Sequence, residues 1–313
     1  MPGDHDFHRP NPPEMTSLAC GNLVKAVTIG SVTLRNGVMT ASGTAGYGTE
    51  LAGSFDLAEL GAVVVKSLAA FEWAGNPAPR LRPTASGMLN AVGLQGPGVP
   101  YWRDHVLPGL LRTGATVVAS IWGRSVDEYR AAAAQLADTP DGVVAVEVNL
   151  SCPNLQGHGI IAHDPDASAA VIDAVADVAA RPCWAKLSAN TDRIVDVARA
   201  VSEAGAEAVT CINTLLGLVF DEHTGEPALG AGGGGLSGPA IHPVAVRAVH
   251  EVHRALPDLP IIGVGGIASA WDATEFALAG ASAVQVGTAT FADPKAAVRV
   301  LGGLRDGVPR DPR

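Results

Sequence analysis

Aromatic residues, cysteines and long apolar runs are all scarce in this chain, and each shortage removes a class of protein. Aromatics make up 4% of the 313 residues, so Ala, Val, Leu and Gly must build the interior, and these small side chains suit close packing of helices on a sheet. Cys20, Cys152, Cys183 and Cys211 show no CxxC spacing and no paired pattern, which argues against a zinc site or a disulfide framework. Cys183 and Cys211 lie in the apolar runs RPCWAKL and AVTCINT, where a thiol behaves as a small buried hydrophobe. No apolar run reaches the length of a membrane-spanning helix. Basic clusters are missing as well. With 21 basic and 31 acidic residues the net charge is −10, which disfavours nucleic acid, whose binding needs a clustered positive footprint. A few local donors can still hold an anion against that field. No acidic cluster has metal-ligand spacing, so no metal is expected. Walker, HRD and GxSxG motifs do not occur.

Residues 1–20 lack the apolar segment of a signal peptide and are rich in Pro and His. They are read as an unstructured extension, followed by a single domain over 21–313, with His5 and His8 too sparse for a metal tract. A reducing, cytoplasmic environment is the expectation.

Hydrophobic residues are 47% of the chain and charged residues 17%, enough for an extensive core. They follow a repeating unit: a short Val/Ile-rich run, a loop of small residues, then an Ala-rich amphipathic stretch. The runs predict strands at 37–41, 62–66, 116–120, 144–149, 183–187, 208–212, 260–264 and 283–287. Helices are predicted at 126–136, 167–180, 193–204, 243–256, 270–278 and 295–303. Buried parallel strands read as continuous apolar runs, as these do. Eight alternating units match a (β/α)8 TIM barrel; a doubly wound sheet is the other arrangement the pattern allows. The alternation of VTIG and SVTLRNG predicts an N-terminal hairpin turning at 29–31, placed to close the bottom of a barrel. Long loops follow strands two, four and six. Those at 67–101 and 213–239 are too long for plain turns, and loops of that length are usually functional.

The predicted strand ends gather polar residues on the face where barrel chemistry lies. Strand one ends in Ala41, Ser42 and Gly43, strand two in Lys66 and Ser67, strand five in Lys186 and Ser188, and strand six in Asn213 and Thr214. Strand four runs into EVNLSCPN (147–154), which presents Asn149, Ser151, Cys152 and Asn154 within a few residues. Two lysines on one barrel face, each in need of a partner when buried, suggest an electron-rich ligand. The glycines of IIGVGGI (261–267) and VQVGTATF (284–291) place bare N–H groups after strands seven and eight, the usual phosphate corner of a barrel. The residues alone thus describe a barrel with a phosphorylated cofactor, two lysines and a thiol. They leave open whether a lysine forms a pyridoxal-type Schiff base or a flavin carries redox chemistry.

Ten segments in order resemble the class 1 dihydroorotate dehydrogenases: MTASGTAGYG (39–48), VVVKS (63–67), GNPAPR (75–80), SGMLNAVGLQGPG (86–98), EVNLSCPN (147–154), AKLSAN (185–190), INTLLG (212–217), GGLSGPAI (234–241), IIGVGGI (261–267) and VGTATFADP (286–294). The resemblance implies FMN-dependent oxidation of (S)-dihydroorotate to orotate in pyrimidine biosynthesis. Cys152 would take the C5 proton while a hydride leaves C6 for N5 of FMN, with Lys66 between flavin and substrate. Asn90, Val92, Gly93, Leu94, Asn149, Asn154, Asn213 and Thr214 would join Lys66 around the substrate. FMN would meet Ala41, Ser42, Lys66, Ser67, Ser120, Asn149, Lys186 and Ile212 around its ring, and Ser237, Gly238, Gly265, Gly266, Gly287 and Thr288 at its phosphate. GGLSGPAI and INTLLG are similar to the B-type branch. That branch implies a homodimer that can join an iron–sulfur flavoprotein subunit, carrying FAD and a [2Fe–2S] cluster, in a heterotetramer that passes electrons to NAD. The alternatives are an A-type enzyme using fumarate and an FMN barrel acting on another dihydropyrimidine. One segment departs from the branch: Ser120-Ile121-Trp122-Gly123 stands where Asn-Val-Ala-Gly is usual.

Overall fold

The computed structural model describes residues 12–151, 153–154 and 159–307, with the backbone alone at 12–14, 153, 154 and 159. The chain opens with a helix, Pro12–Val24. A hairpin follows, β1 (Val27–Ile29) and β2 (Val32–Leu34), in antiparallel register Val27↔Leu34. Fourteen further strands follow: β3 (Val38–Thr40), β4 (Val63–Val64), β5 (Leu81–Thr84), β6 (Gly87–Asn90), β7 (Val117–Ile121), β8 (Val143–Asn149), β9 (Pro153–Asn154), β10 (Gly159–Ile160), β11 (Cys183–Leu187), β12 (Ala208–Cys211), β13 (Leu215–Gly217), β14 (Gly234–Ser237), β15 (Ile261–Val264) and β16 (Ala283–Val286).

Eight of them form one parallel sheet in the order β3-β16-β15-β12-β11-β8-β7-β4. A parallel bridge, Met39↔Ala62, joins its two ends, with Thr40 N donating to Ala62 O at 3.3 Å and Gly61 N to Val38 O at 2.8 Å. The sheet is therefore a closed (β/α)8 barrel. Helices Val126–Ala134, Pro165–Ala176, Ile194–Glu203, His242–Ala255, Ala270–Leu278 and Ala296–Arg305 cover it. Their starts follow from local chemistry: the side chains of Ser125 and Asp164 accept from first-turn N–H groups, and Ser269 with Asp272 forms a capping box. Between β3 and β4 the described helix is only a 3-10 turn, Leu57–Glu59.

The barrel interior is layered by the strand period of two. At the bottom Met39, Ala62, Val64, Val118, Ala145, Trp184, Ala208, Ile262 and Ala283 form one buried cluster with Ile29, Val32 and Leu34 of the hairpin, which plugs that end as expected. Two residues further along the strands the interior turns polar, with Glu147, Lys186, Thr210 and Gln285 all buried.

The extension read over 1–20 needs correction from residue 12 onward, residues 1–11 lying outside the described residues. Residues 12–24 are helical, and Ala19, Cys20 and Leu23 are buried. They pack against Ala270–Leu278 and Ala296–Arg305, and the Cys20 thiol donates to Leu304 O at 3.0 Å. Pro12 and Pro13 disguised the helix, although proline is well tolerated in a first turn; its apolar stripe has meaning only once the C-terminal helix is there to cover it.

The two long loops pair with each other. Residues from 67–101 supply β5 and β6, those from 213–239 supply β13 and β14, and the four form an antiparallel sheet in the order β13-β14-β6-β5. Gly235↔Asn90 and Ser237↔Met88 set its register. This ledge stands at the C-terminal end of the barrel strands.

Candidate active site

The deepest part of the site is a buried polar layer. Lys186 is 3% exposed and Glu147 0%, so neither charge has water as a partner. The Lys186 Nζ lies 3.4 Å from Glu147 Oε1 and reaches Gln285 Oε1 and Ser42 Oγ, both at 3.2 Å. Glu147 Oε2 accepts from Gln285 Nε2 at 2.6 Å and Thr210 Oγ1 at 3.0 Å. Four barrel strands and the loop after β3 thus meet in one network around this ammonium.

Above it sits a network of amides and hydroxyls. Asn149 Nδ2 donates to Ser67 Oγ at 3.2 Å, and Ser67 Oγ lies 2.8 Å from Ser120 Oγ. Asn149 Oδ1 accepts from Asn213 Nδ2 at 3.0 Å and from Ser151 N at 3.2 Å. Asn213 Oδ1 accepts from Thr214 N at 2.8 Å. Ile212 is buried and donates its N–H to Val264 O at 3.0 Å. Ala41 is buried beside β16, its N–H on Val286 O at 2.9 Å.

Lys66 lies one side chain away from this network, next to Ser67. Its Nζ donates to Tyr47 Oη at 2.9 Å and to Gln95 O, and it stands 5.1 Å from the Tyr47 ring centroid. Burial, and next the Arg80 guanidinium, lower the Lys66 pKa from 10.5 to about 8. Burial and then Glu50 push the Tyr47 hydroxyl well above its ordinary value, so it stays a neutral donor to Gln95 O. Arg80 is itself tied to Gln95 Oε1 and, at 2.6 Å, to Asn76 O. The segment 90–95 is shaped to present its backbone: Asn90 Nδ2 holds Gly235 O at 3.1 Å, Val92 O accepts from Asn76 N at 3.1 Å, and Gly93 and Leu94 have φ of +71° and +60°.

Trp122, the departure noted in the sequence, is buried and closes the wall behind this segment. Its ring lies 6.0 Å from Phe71 and 6.1 Å from Trp73, and Trp73 Nε1 donates to Gly93 O at 3.0 Å. Ser120 keeps its place in the network.

The glycine corner forms the remaining side. A Cβ on Gly266 would lie 2.8 Å from both Gly238 O and His242 Cβ, and one on Gly238 would lie 2.8 Å from Gly87 Cα and 3.6 Å from Thr288 Cγ2. Their φ values of +69° and +96° also favour glycine. Gly287 packs toward Ala41, with 3.3 Å to its Cβ from an added methyl. Ser237 Oγ is held on Met88 O at 3.4 Å. The N–H groups of Gly265, Gly266, Gly287 and Thr288 donate to no backbone group of the described residues, which leaves a cradle of donors suited to an anion.

The structure therefore gathers at one mouth Ala41, Ser42, Lys66, Ser67, Asn90, Val92 to Leu94, Ser120, Asn149, Lys186, Ile212 to Thr214 and the glycine corner. Cys152 lies outside the described residues, and so does the side chain of Asn154. Sequence reasoning missed Glu147, Thr210, Gln285 and the Tyr47–Gln95–Arg80 group. The first three had a signal: each is a polar residue inside an apolar strand, two positions before a mouth residue. The last group joins three loops: its members lie in the family segments 39–48, 75–80 and 86–98, and only the fold brings them together.

Barrels of this construction carry their chemistry at the C-terminal end of the strands, and the chain is an enzyme of that class. A family model for dihydroorotate dehydrogenase matches residues 24–307. A protein of Desulforudis audaxviator is 49% identical over 280 residues, 89% of this chain and 91% of the relative. One of Anoxybacillus flavithermus is 45% identical over 89% of each chain, and one of Bacillus pumilus 46% over 86% of each. All three are named dihydroorotate dehydrogenase B (NAD(+)), catalytic subunit. The chain belongs to the dihydroorotate dehydrogenase family, on its class 1, B-type branch. No helix among the described residues is long and apolar enough to cross a membrane.

Proposed function

We propose that the chain oxidises (S)-dihydroorotate to orotate for the synthesis of UMP, with FMN as its cofactor. The observation that carries this reading is one barrel mouth holding both a row of backbone N–H groups with no backbone acceptor among the described residues and a set of fixed amides. The cradle fits a phosphate: its walls leave no room for a Cβ at Gly238 or Gly266. FMN, when bound, supplies the acceptor for the hydride from C6. Gly265, Gly266, Gly287 and Thr288 would hold its phosphate beside Ser237 and Gly238. Lys186 would face its ring together with Ala41, Ser42, Ser67, Ser120 and Ile212. Asn149 and Asn213, with Asn90, Asn154 and Thr214, offer both donors and acceptors to an imide edge, and the backbone of Val92 to Leu94 closes over it. Lys66 neutralises charge between the two ligands, and Cys152 accepts the C5 proton.

The relatives' name, a catalytic subunit working with NAD(+), supports a separate partner subunit; the resemblance to the B-type branch would give that partner FAD and a [2Fe–2S] cluster to take the electrons onward, on a homodimer of this chain. Mixed anaerobically with dihydroorotate, the purified chain is expected to bleach its flavin, yet to reduce NAD slowly on its own. An unbleached flavin would overturn the substrate, and fast NAD reduction without a partner would overturn the division of labour.

The charge on Lys66 gives a pH signature. A lysine is cationic below its pKa, so the ammonium is complete in the free protein at pH 6 and is lost as the pH rises through about 8. The kcat/KM for dihydroorotate, which reports groups of the free enzyme, is expected to fall with that midpoint. Lys66→Arg, whose charge persists, is expected to lose the descending limb whatever its absolute rate. A wild-type profile with no descending limb up to pH 10 would show that the charge is not needed.

A further inference from the structure

We propose that His242, backed by Glu275, is a positioning residue for the phosphate cradle: it sets the peptide between Gly265 and Gly266 so that the Gly266 N–H faces the anion. This rests on the FMN reading above and adds to it a residue outside the mouth.

The peptide needs such a device. It lies between two glycines with φ of +146° and +69°. With no Cβ on either side, rotation of the peptide plane meets little steric resistance. A turn of this kind presents either an N–H or a carbonyl to the mouth, and only the first attracts a phosphate. In a trans peptide the C=O and the following N–H point in opposite directions, so holding the Gly265 oxygen on one side aims the Gly266 hydrogen to the other.

His242 does the holding. It is 4% exposed and begins the helix His242–Ala255, and its Nδ1 is 2.9 Å from Gly265 O. A carbonyl oxygen only accepts, so Nδ1 carries the hydrogen of this bond. The ring is flanked on its other sides. Its Nε2 lies 3.3 Å from Glu275 Oε2, and the Phe276 ring stands edge-on to it at 5.3 Å and 89°. Both partners come from the helix Ala270–Leu278, which follows the same loop. His242, Glu275 and Asp272 also offer ligand atoms within 4.8 Å of one another. Asp272 Oδ2, however, already accepts from Ala268 N, Ser269 N and Ser269 Oγ at 2.8–3.0 Å, and His242 Nδ1 is committed to the carbonyl, so the cluster is built to orient a turn.

The test compares FMN with riboflavin, which has the same ring system and no phosphate. The full chain, stripped of flavin, is titrated with each by fluorescence quenching. His242→Asn keeps an amide N–H near the place of Nδ1, whereas His242→Gln moves it toward the place of Nε2. His242→Gln is expected to weaken FMN roughly tenfold, the worth of one hydrogen bond that aims a donor at a charged group, with riboflavin changed less than about twofold. His242→Asn is expected to recover most of the FMN affinity. Equal losses for both flavins, or an Asn variant no better than Gln, would overturn the positioning role. A wild-type chain that binds riboflavin as tightly as FMN would instead overturn the phosphate cradle itself, and the role with it.

Discussion

Cys152→Ser is expected to slow dihydroorotate oxidation at least about a hundredfold, the usual contribution of a general base, while FMN remains bound. A thiol with a reference pKa near 8.5 is deprotonated often enough near neutral pH to take a proton, and a serine hydroxyl is not. The substitution is close to isosteric, and the residues proposed to hold FMN all lie on other segments or earlier on β8, so flavin content should not move. Stopped-flow reduction of the flavin by dihydroorotate measures the chemical step apart from any later electron transfer. A rising limb of the pH profile that vanishes in the variant would identify the thiol as the titrating base. Unchanged flavin reduction would remove Cys152 from that role and return the proton to another acceptor.

The second large effect is on stability. Glu147→Ala is expected to destabilise the flavin-free protein by roughly 3–5 kcal/mol, the cost of leaving a buried partner charge uncompensated. That corresponds to a fall in Tm on the order of 10 °C. The reason is geometric: Lys186 is 3% exposed, its carboxylate partner is 3.4 Å away, and its other described partners are the neutral Gln285 and Ser42. Because a buried pair often adds little net stability over apolar residues of similar volume, Glu147→Leu combined with Lys186→Met is expected to recover most of the loss while weakening FMN. Chemical denaturation of the single and double variants decides it. A Glu147→Ala protein as stable as the parent would mean that water reaches Lys186, and a double variant no better than the single one would mean that the layer is held by packing rather than by charge.

Much of the architecture was legible in the order of residues. Seven of the eight barrel strands lie within a residue of their apolar runs, because a parallel strand buried on both faces needs a continuous apolar segment. The strand read at 62–66 is regular only over Val63–Val64, where it pairs with β7, before Lys66 turns into the mouth. The helix Ala270–Leu278 begins where the Ser269–Asp272 capping box says it should. The strand-end residues from Ala41 to Thr288 were legible too, since barrel chemistry lies at known places along the chain. The helix at 12–24 and the pairing of the two long loops were not, because both depend on partners more than a hundred residues away.

The sequence by itself determined the number of barrel units, the face that carries the site and the family, since local periodicity and ordered motifs encode these. Only the tertiary structure decided what each charge is for. Lys66 and Lys186 read alike in the chain. One sits at the mouth with its pKa lowered by burial and Arg80, and the other is anchored to Glu147 in the barrel interior. The difference arises from which strands lie side by side once the barrel closes, and that neighbourhood is a property of the closed sheet rather than of any one segment.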